Sequence, residues 1–529
     1  MIQAIVIAAT LGLCATAAQA QLSPYASAAD QQQAMTDRAI TSEKLVRLSL
    51  DRIAGIDRAG PKLNSVLALN PHAIADARAL DAERRAGRVR GPLHGVPILI
   101  KDNIESADGM ATTAGSLALT GNITGRDAPL VRRLTDAGAV ILGKANLSEW
   151  ANFRSTRSVS GWSAVAGLVR NPYSLDRTAC GSSSGSGAAV AAGLVAAAIG
   201  TETDGSITCP AAMNGVVGLK PTVGLVSRTY VVPISPEQDT AGPMARTVAD
   251  AAAVLTALAG SDPLDPATRE ADARKVDYLA ALDRQSLKGA RIGVWTPNPG
   301  RLAALDAVFA QALEVLRAQG AILVTLKGPD EATLSRLSSL ENDTLQAEFK
   351  ASLNAYLATT PPAVATRTLD QLIAFNVREP RETPLFGQEI FEQSAKAPSL
   401  ADAGYRGKRA EARKIATDSL DRMLREGAVT AIVSPSGGPP SIVDPVNGGR
   451  FFGSPSSLPA VSGYPHLTVP MGYVTGLPVG LSFLGPAWSE AKLLSLGFAF
   501  EAASRVRRPP DFLPSVAAHP EIGRAYDPR

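Results

Sequence analysis

Cys180-Gly-Ser-Ser-Ser-Gly-Ser-Gly187 opens a run of small residues that continues through alanines to Gly200-Thr-Glu-Thr-Asp-Gly-Ser206. Two serine-bearing glycine loops are thus joined by one short apolar segment, a spacing that gathers hydroxyls and free backbone N–H groups in one place. Upstream, an apolar run ends abruptly in a charge, Val96-Pro-Ile-Leu-Ile-Lys101-Asp102-Asn103. Residues 95–100 show no polar alternation, the pattern of a strand buried on both faces. Lys101 then stands at the mouth of a buried strand.

The flanking sequence extends this reading. Residues 42–53 carry apolar positions at three-to-four spacing behind Thr41 as a cap, and residues 71–87 form a second helical stretch closed by Gly87. Further on, the pattern predicts a helix over 128–137, a strand over 139–142, a glycine- and alanine-lined helix over 188–199, a strand over 216–219 and a helix over 247–258. Alternating strand and helix signals predict an α/β sheet covered by helices. Residues 331–426 are more charged and helix-biased, broken by Pro361-Pro362 and Pro380. Strand signals resume at 431–433, 467–469 and 479–483, so the C-terminal part completes the sheet around a helical insertion.

The expected organisation is a signal peptide over 1–20, an N-terminal helical segment over 21–90 packing on the core, and a core over 91–330 carrying the lysine and the serine loops. A helical insertion forming the substrate cleft follows over 331–426, then strands and a helix over 427–510 that complete the core, and a peripheral tail over 511–529.

With 529 residues, 45% hydrophobic and 19% charged, the chain can bury a large core. A formal net charge of +3 is too close to neutral to suggest a nucleic-acid or membrane-surface partner. The cluster Arg84, Arg85, Arg88 and Arg90 reads as a solvated face near a turn. An apolar stretch from Ile5 to Leu13, followed by Ala18-Gln19-Ala20, has the form of a cleavable export signal. No later segment reaches the roughly 20 apolar residues needed to span a bilayer. The mature protein is therefore expected to be exported, periplasmic or secreted, without stable membrane insertion. Removing Cys14 leaves Cys180 and Cys209, one beside each serine loop. In an oxidising compartment they either pair or remain two buried thiols, and a thiol count on the denatured, unreduced protein distinguishes the two.

Three chemistries compete. His72, His94, His466 and His519 share no close ligand spacing and no cysteine cluster exists, so no metal is expected. Gly181-Ser-Ser183-Ser-Gly185 matches the nucleophile elbow of α/β-hydrolases, but that elbow follows a strand. Here a turn-rich segment, residues 171–178, precedes it, and the partner histidine would have to be His466 or His519. The third route needs no histidine. A serine needs a base to take its proton, and lysine, protonated at neutral pH in water, becomes a base when desolvation lowers its pKa to roughly 7–8. A lone lysine at a strand end is more often a surface charge, and Asp102 next door would hold the proton on. It is the combination with the serine loops that makes Lys101 a candidate.

That combination resembles a known family. Gly91-Pro-Leu-His-Gly-Val-Pro-Ile-Leu-Ile-Lys-Asp-Asn103 is similar to the lysine motif of the amidase signature family. Residues 180–193, Gly200-Thr-Glu-Thr-Asp-Gly-Ser-Ile207 and Gly215-Val-Val-Gly-Leu-Lys-Pro-Thr222 resemble its glycine/serine signature. Gly143-Lys-Ala-Asn146 and Leu477-Pro-Val-Gly480 also fit, so the resemblance covers nearly the whole mature chain. Within the family, Asn146-Leu-Ser-Glu-Trp-Ala-Asn-Phe153 and the two serine loops are most similar to bacterial peptide amidases.

The resemblance implies a single large α/β domain with a central mixed β-sheet covered by helices on both faces. It implies a triad of Lys101, Ser182 and Ser206, with Ser206 as nucleophile and Ser182 as a proton bridge held after a cis peptide at Gly181–Ser182. Ser183 would hydrogen-bond within the site, and the backbone N–H groups of Thr203, Asp204, Gly205 and Ser206 would form the oxyanion hole. The chain departs from the family at Asp204, commonly Gly, and at Thr208, commonly Arg. A carboxylate aimed into the hole would oppose the oxyanion, so Asp204 is expected to face away or to bind a substrate amine or amide.

The implied reaction is carboxamide hydrolysis through an acyl-enzyme, releasing ammonia, with no metal or organic cofactor. The implied substrate is a peptide amide or amino-acid amide, acted on by a monomer. Aryl or fatty acyl amides are the alternative within enzymes, and a catalytically inactive envelope-binding protein the alternative outside them. An export signal disfavours a tRNA-dependent amidotransferase subunit. Residues 150–153, with Phe375 and Phe386 of the insertion, either line the acyl side of the cleft or belong to the core.

Overall fold

The computed structural model describes residues 22–297, 300, 302–446 and 453–526. The expected export signal over 1–20 lies outside the described residues. Thirteen strands are present among them: β1 (Val66–Leu69), β2 (Pro97–Lys101), β3 (Val140–Ala145), β4 (Trp162–Ser163), β5 (Gly167–Leu168), β6 (Ala197–Glu202), β7 (Val217–Lys220), β8 (Thr240–Ala245), β9 (Arg291–Val294), β10 (Ile322–Thr325), β11 (Ala431–Pro435), β12 (His466–Val474) and β13 (Leu477–Leu484). β4 and β5 pair only with each other, and the other eleven form one sheet in the order β1-β3-β2-β6-β8-β7-β12-β13-β11-β9-β10. β2 runs parallel to both β3 and β6, whereas β6–β8, β7–β8, β7–β12 and β12–β13 are antiparallel. The sheet is therefore mixed.

Its centre is apolar on both faces because helices cover both. Ile98 and Ile100 of β2 join one large cluster with Leu130, Val131 and Leu134, while Leu99 joins a second with Val46, Val190 and Ala198. This is the pleat at work, since successive strand side chains point to opposite faces. The capped helices begin where expected: Thr41 accepts from Lys44 N ahead of Ser42–Arg52, and Thr247 from Asp250 N ahead of Val248–Leu258.

One element differs in kind. Residues 188–199 are not one helix: the helix Ser184–Ala191 stops, Gly193 takes φ +70°, and Ala197–Glu202 is the strand β6. Alanine favours helix intrinsically, but here small side chains serve a close approach. A Cβ on Gly200 would stand 2.8 Å from Ser183 Oγ and 2.9 Å from Met244 Sδ. Tertiary packing sets β6, and it carries the chain from the first serine loop to the second.

The N-terminal part contributes the edge strand β1 as well as helices. Residues 331–426 supply four helices, Glu331–Leu357, Leu369–Arg378, Glu389–Lys396 and Ala403–Gly427. The first of these packs Leu345, Phe349 and Leu353 into a cluster with Trp150 and Phe391, and Leu337 and Leu340 into another with Ala412, Ala416 and Leu420. Through it the insertion is bonded to the core beside the serine loops.

Candidate active site

Lys101 ends β2 and is fully buried. Its Nζ lies 2.7 Å from Ser182 Oγ, 2.8 Å from Thr201 Oγ1 and 3.3 Å from the Thr201 carbonyl oxygen. Burial lowers its pKa from 10.5 to about 7, against the opposing pull of the Asp239 and Glu202 carboxylates. The three partners accommodate the amine in either protonation state. The Thr201 carbonyl can only accept, and the Thr201 hydroxyl accepts from Asn103 Nδ2 at 3.0 Å. With its two N–H groups given to Thr201, a neutral Lys101 turns its lone pair to the Ser182 hydroxyl.

Asp102 does not hold a proton on Lys101, contrary to the expectation from adjacency. Its carboxylate accepts from Thr113 N and Thr113 Oγ1, and its counter-charge is Lys144. Neighbouring residues at the strand end point apart, so adjacency in sequence is not proximity of charge.

The first serine loop is held by close packing. The Gly181–Ser182 peptide is cis, and Ser148 N donates to the Ser182 carbonyl at 3.0 Å. A Cβ on Gly181 would fall 2.1 Å from Ser148 Oγ, which leaves room for glycine alone. Ser183 Oγ donates to the Thr201 carbonyl at 3.0 Å and accepts from Thr201 N at 3.1 Å. It therefore pins the start of the second loop to the first.

The second loop runs from Thr203 to Ser206. Ser183 N donates to the Ser206 carbonyl at 3.1 Å, and Cys180 is bonded to Cys209 with Cα atoms 6.0 Å apart. Both contacts hold the Ser206 end of the second loop against the first serine loop. Gly205 takes φ +75°, the left-handed region open to glycine, and Ser206 is largely but not fully covered. Thr203 Oγ1 donates to Asp239 Oδ1 at 2.6 Å. Asp204 is turned to neighbouring side chains: Ser457 Oγ donates to its Oδ2 at 2.7 Å. Where the family commonly has Arg, Thr208 instead donates its backbone N–H to Glu202 Oε2, and the buried cation facing Glu202 is Lys220. Burial lowers the Lys220 ammonium to about 8.

His466 sits elsewhere. Its Nε2 is 2.6 Å from Ser482 Oγ, and burial pushes its pKa down to about 3, so it serves no serine of residues 180–187. Among the described residues no group of three or more His, Cys, Asp or Glu side chains is arranged to hold a metal. No described helix is long and apolar enough to cross a membrane.

A cavity of about 200 Å³ lies against the lysine's partners, lined by Asn103, Thr201, Thr203, Asp239, Ala151 and Val232 among others. Trp150 is buried edge-on to Phe391, Phe153 meets Phe349, and Phe386 meets Trp162. These aromatic pairs tie residues 150–162 to the insertion.

A family model for amidases matches residues 44–494. The chain belongs to the amidase signature family. A probable amidase of Arabidopsis thaliana is 41% identical over 492 residues, covering 91% of this chain and 90% of that one. The native peptide amidase from Stenotrophomonas maltophilia is 51% identical with a TM-score of 0.87, covering 92% of this chain and 99% of that one. A peptide amidase in complex with the competitive inhibitor chymostatin is 51% identical with a TM-score of 0.89, covering 92% and 100%. This amidase is accordingly an amide-hydrolysing enzyme built as one α/β domain.

Several residues around the amidase site carry no separate weight in the sequence. Thr201, Glu202 and Asn103 sit inside the quoted motifs, where their neighbours draw the attention. Asp239 lies just before β8 and Lys220 ends its partner β7, and no local pattern links them to residues 101 or 202.

Proposed function

We propose that this amidase hydrolyses carboxamides through a Lys101–Ser182–Ser206 relay, and that its substrates are peptides or amino-acid amides with a C-terminal carboxamide. The observation that carries the reading is the buried amine of Lys101, lowered to about 7 and 2.7 Å from Ser182 Oγ. Lys101 takes the Ser182 proton as Ser182 takes that of Ser206, and Ser206 Oγ forms a bond to the carboxamide carbon. The backbone N–H groups of residues 203–206 stabilise the resulting oxyanion, each such donor being worth about 2.7–4 kcal/mol of barrier. The relay then returns a proton to the departing nitrogen, the C–N bond breaks, and ammonia leaves. Water adds to the acyl-enzyme by the same path and restores Ser206.

The 51% identity to the Stenotrophomonas peptide amidase supports the peptide-amide substrate. The test is ammonia release from peptide amides, free Asn and Gln, anilides and fatty amides. Turnover of anilides with none on peptide amides overturns the substrate reading. Ser206→Ala is expected to abolish turnover, and full activity in it removes Ser206 as nucleophile. We also propose that the mature chain starts after Ala20 and acts as an exported monomer. The Cys180–Cys209 pairing supports export, since disulfides persist in oxidising compartments. N-terminal mass spectrometry of the mature protein and its sedimentation check this proposal.

A further inference from the structure

Asp204 places a carboxylate in the loop that has to stabilise an oxyanion, and its surroundings show how that charge is managed. Ser457 Oγ donates to Oδ2 at 2.7 Å, and the Ser456 hydroxyl is a second partner of the carboxyl. Its Oδ1 is buried and meets no ordinary donor. The remaining hydrogen-bonding neighbour is another acid, Glu341 of the inserted helix Glu331–Leu357.

Two buried carboxylates in contact cannot both be charged, so one proton lies between them. Glu341 is the acid that carries it. Its Oε1 already accepts from Gln238 Nε2 at 2.7 Å, and Gln238 Oε1 in turn accepts from Arg409 Nη1 at 2.5 Å. That leaves the second Glu341 oxygen to bear the proton toward Asp204. Burial raises both carboxyls, but the adjacent Asp204 charge pushes Glu341 well above the usual range, whereas Ser456, Ser457, Lys220 and the Glu341 hydrogen bond offset part of the rise at Asp204.

We propose that Glu341 is a positioning residue for the reaction: as the protonated partner of Asp204, it holds the oxyanion loop in register from the inserted helix. The proposal rests on residues 203–206 being the oxyanion loop. A second tie from the same place supports it, because Gln238 Nε2 also reaches the Thr203 carbonyl at 3.4 Å. Both residues that precede Gly205-Ser206 are thus bonded, directly or through Gln238, to Glu341.

The charges around the pair are few. Arg409 of the helix Ala403–Gly427 and Glu348 of its own helix face Glu341; Lys220 of β7 and Glu202 of β6 face Asp204. When Glu341 loses its proton, two negative charges meet beside the loop, and repulsion drives the backbone donors off the oxyanion position. Activity then falls on the alkaline side. Lys101 cannot cause that fall, because raising the pH only makes it a more available base; Lys220, lowered to about 8, titrates on the same side, but a limb owed to it would persist in Glu341→Gln.

The experiment compares pH profiles of kcat and KM on a peptide amide for the parent, Glu341→Gln and Glu341→Leu, with Ser206→Ala alongside. Glu341→Leu removes the donor and is expected to lower kcat roughly 10–100-fold, with KM changed by no more than about twofold. Glu341→Gln keeps a donor to Asp204 and an acceptor for Gln238 but has no proton to lose. It recovers most of kcat and lacks the alkaline fall. Parental kcat in Glu341→Leu, or a parental alkaline limb in Glu341→Gln, overturns the proposal. If Glu341→Leu does not fold, the Glu341→Gln profile decides alone. Turnover in Ser206→Ala would remove the loop assignment itself, whereas an inactive Ser206→Ala beside unaffected Glu341 variants removes only the role of Glu341.

Discussion

If neutral Lys101 is the base, the acid side of the kcat/KM profile on a peptide amide must rise through one limb centred near the lysine's folded pKa of about 7, below the alkaline fall set by Glu341. An ordinary lysine with a pKa of 10.5 would be neutral in only about 0.03% of molecules at neutral pH. Burial raises that share to about half, a gain of more than a thousandfold in active base. The neutral share falls to about 1% near pH 5, so kcat/KM there is expected to be roughly 100-fold below its plateau. The sign follows from the charge: the protonated amine cannot accept a proton from Ser182, so acid inactivates.

The limb must also answer to the charges that oppose burial. Asp239 is the largest of these and Glu202 the next, both holding the proton on. Asp239→Asn removes one negative charge from the lysine's field and is expected to move the limb to lower pH by roughly half a unit to one unit. The limb's position is independent of any loss in amplitude from the broken Thr203 contact. The assay is ammonia release from a blocked peptide amide between about pH 5 and 9. Asp102, pushed up to about 6 by burial, titrates in the same region but faces Thr113 and Lys144. A limb owed to Asp102 would stay where it is in Asp239→Asn. That outcome, or a limb centred near 10, refutes the lysine as base.

Two further outcomes concern stability. Lys101 keeps its proton to 10.5 in the unfolded chain but releases it near 7 when folded, so between these values the unfolded state binds more protons and stability rises with pH. Below about 7 the whole cost of burying the charge is present. Lys101→Met is therefore expected to be inactive yet more stable than the parent near pH 6, by about 1–3 kcal/mol once lost hydrogen bonds are subtracted. Denaturant unfolding should show the gap closing as pH approaches about 10. The Cys180–Cys209 bond closes a segment of 29 residues in sequence separation, which the loop-entropy relation values at about 3.5 kcal/mol. Cys180→Ala with Cys209→Ala should lower unfolding stability by that order, checked by the same titration with the reduced parent as reference.

The chemistry of this site is legible where it is local. Lys101 is announced by the apolar run that buries it, and Ser182, Ser183 and Ser206 by glycines that a Cβ would displace; Gly181 against Ser148 is the plainest case. Periodicity fails where packing overrides propensity. The alanines of 197–199 read as helix, and only the close approach of Ser183 and Met244 to Gly200 explains why they form the central strand β6. Gly242-Pro243 hides β8 for a similar reason. The sheet accepts that dipeptide because a Cβ at 242 would stand 2.1 Å from the Leu219 carbonyl oxygen. Adjacency misleads at Asp102, whose charge is spent on Lys144 across the pleat.

The departures from the family pattern are the places where local reading has least purchase. At 204 and 208 the commonly found glycine and arginine are exchanged for an acid and a neutral hydroxyl, a change that by itself adds negative charge beside the second serine loop. The compensation comes from distant chain. Lys220 stands against Glu202, Ser457 holds Asp204 from 253 residues away, and Glu341, bonded to Gln238 across 103, supplies the proton. Two of these three partners come from outside the core motifs, one from the inserted helix and one from the start of the short helix Ser457–Ser462 before β12. A substitution in the proposed oxyanion loop and the segments that neutralise it must therefore be read as one unit. Asp204→Gly alone, which restores the common residue, would leave Glu341 and Ser457 without the partner they were placed to meet.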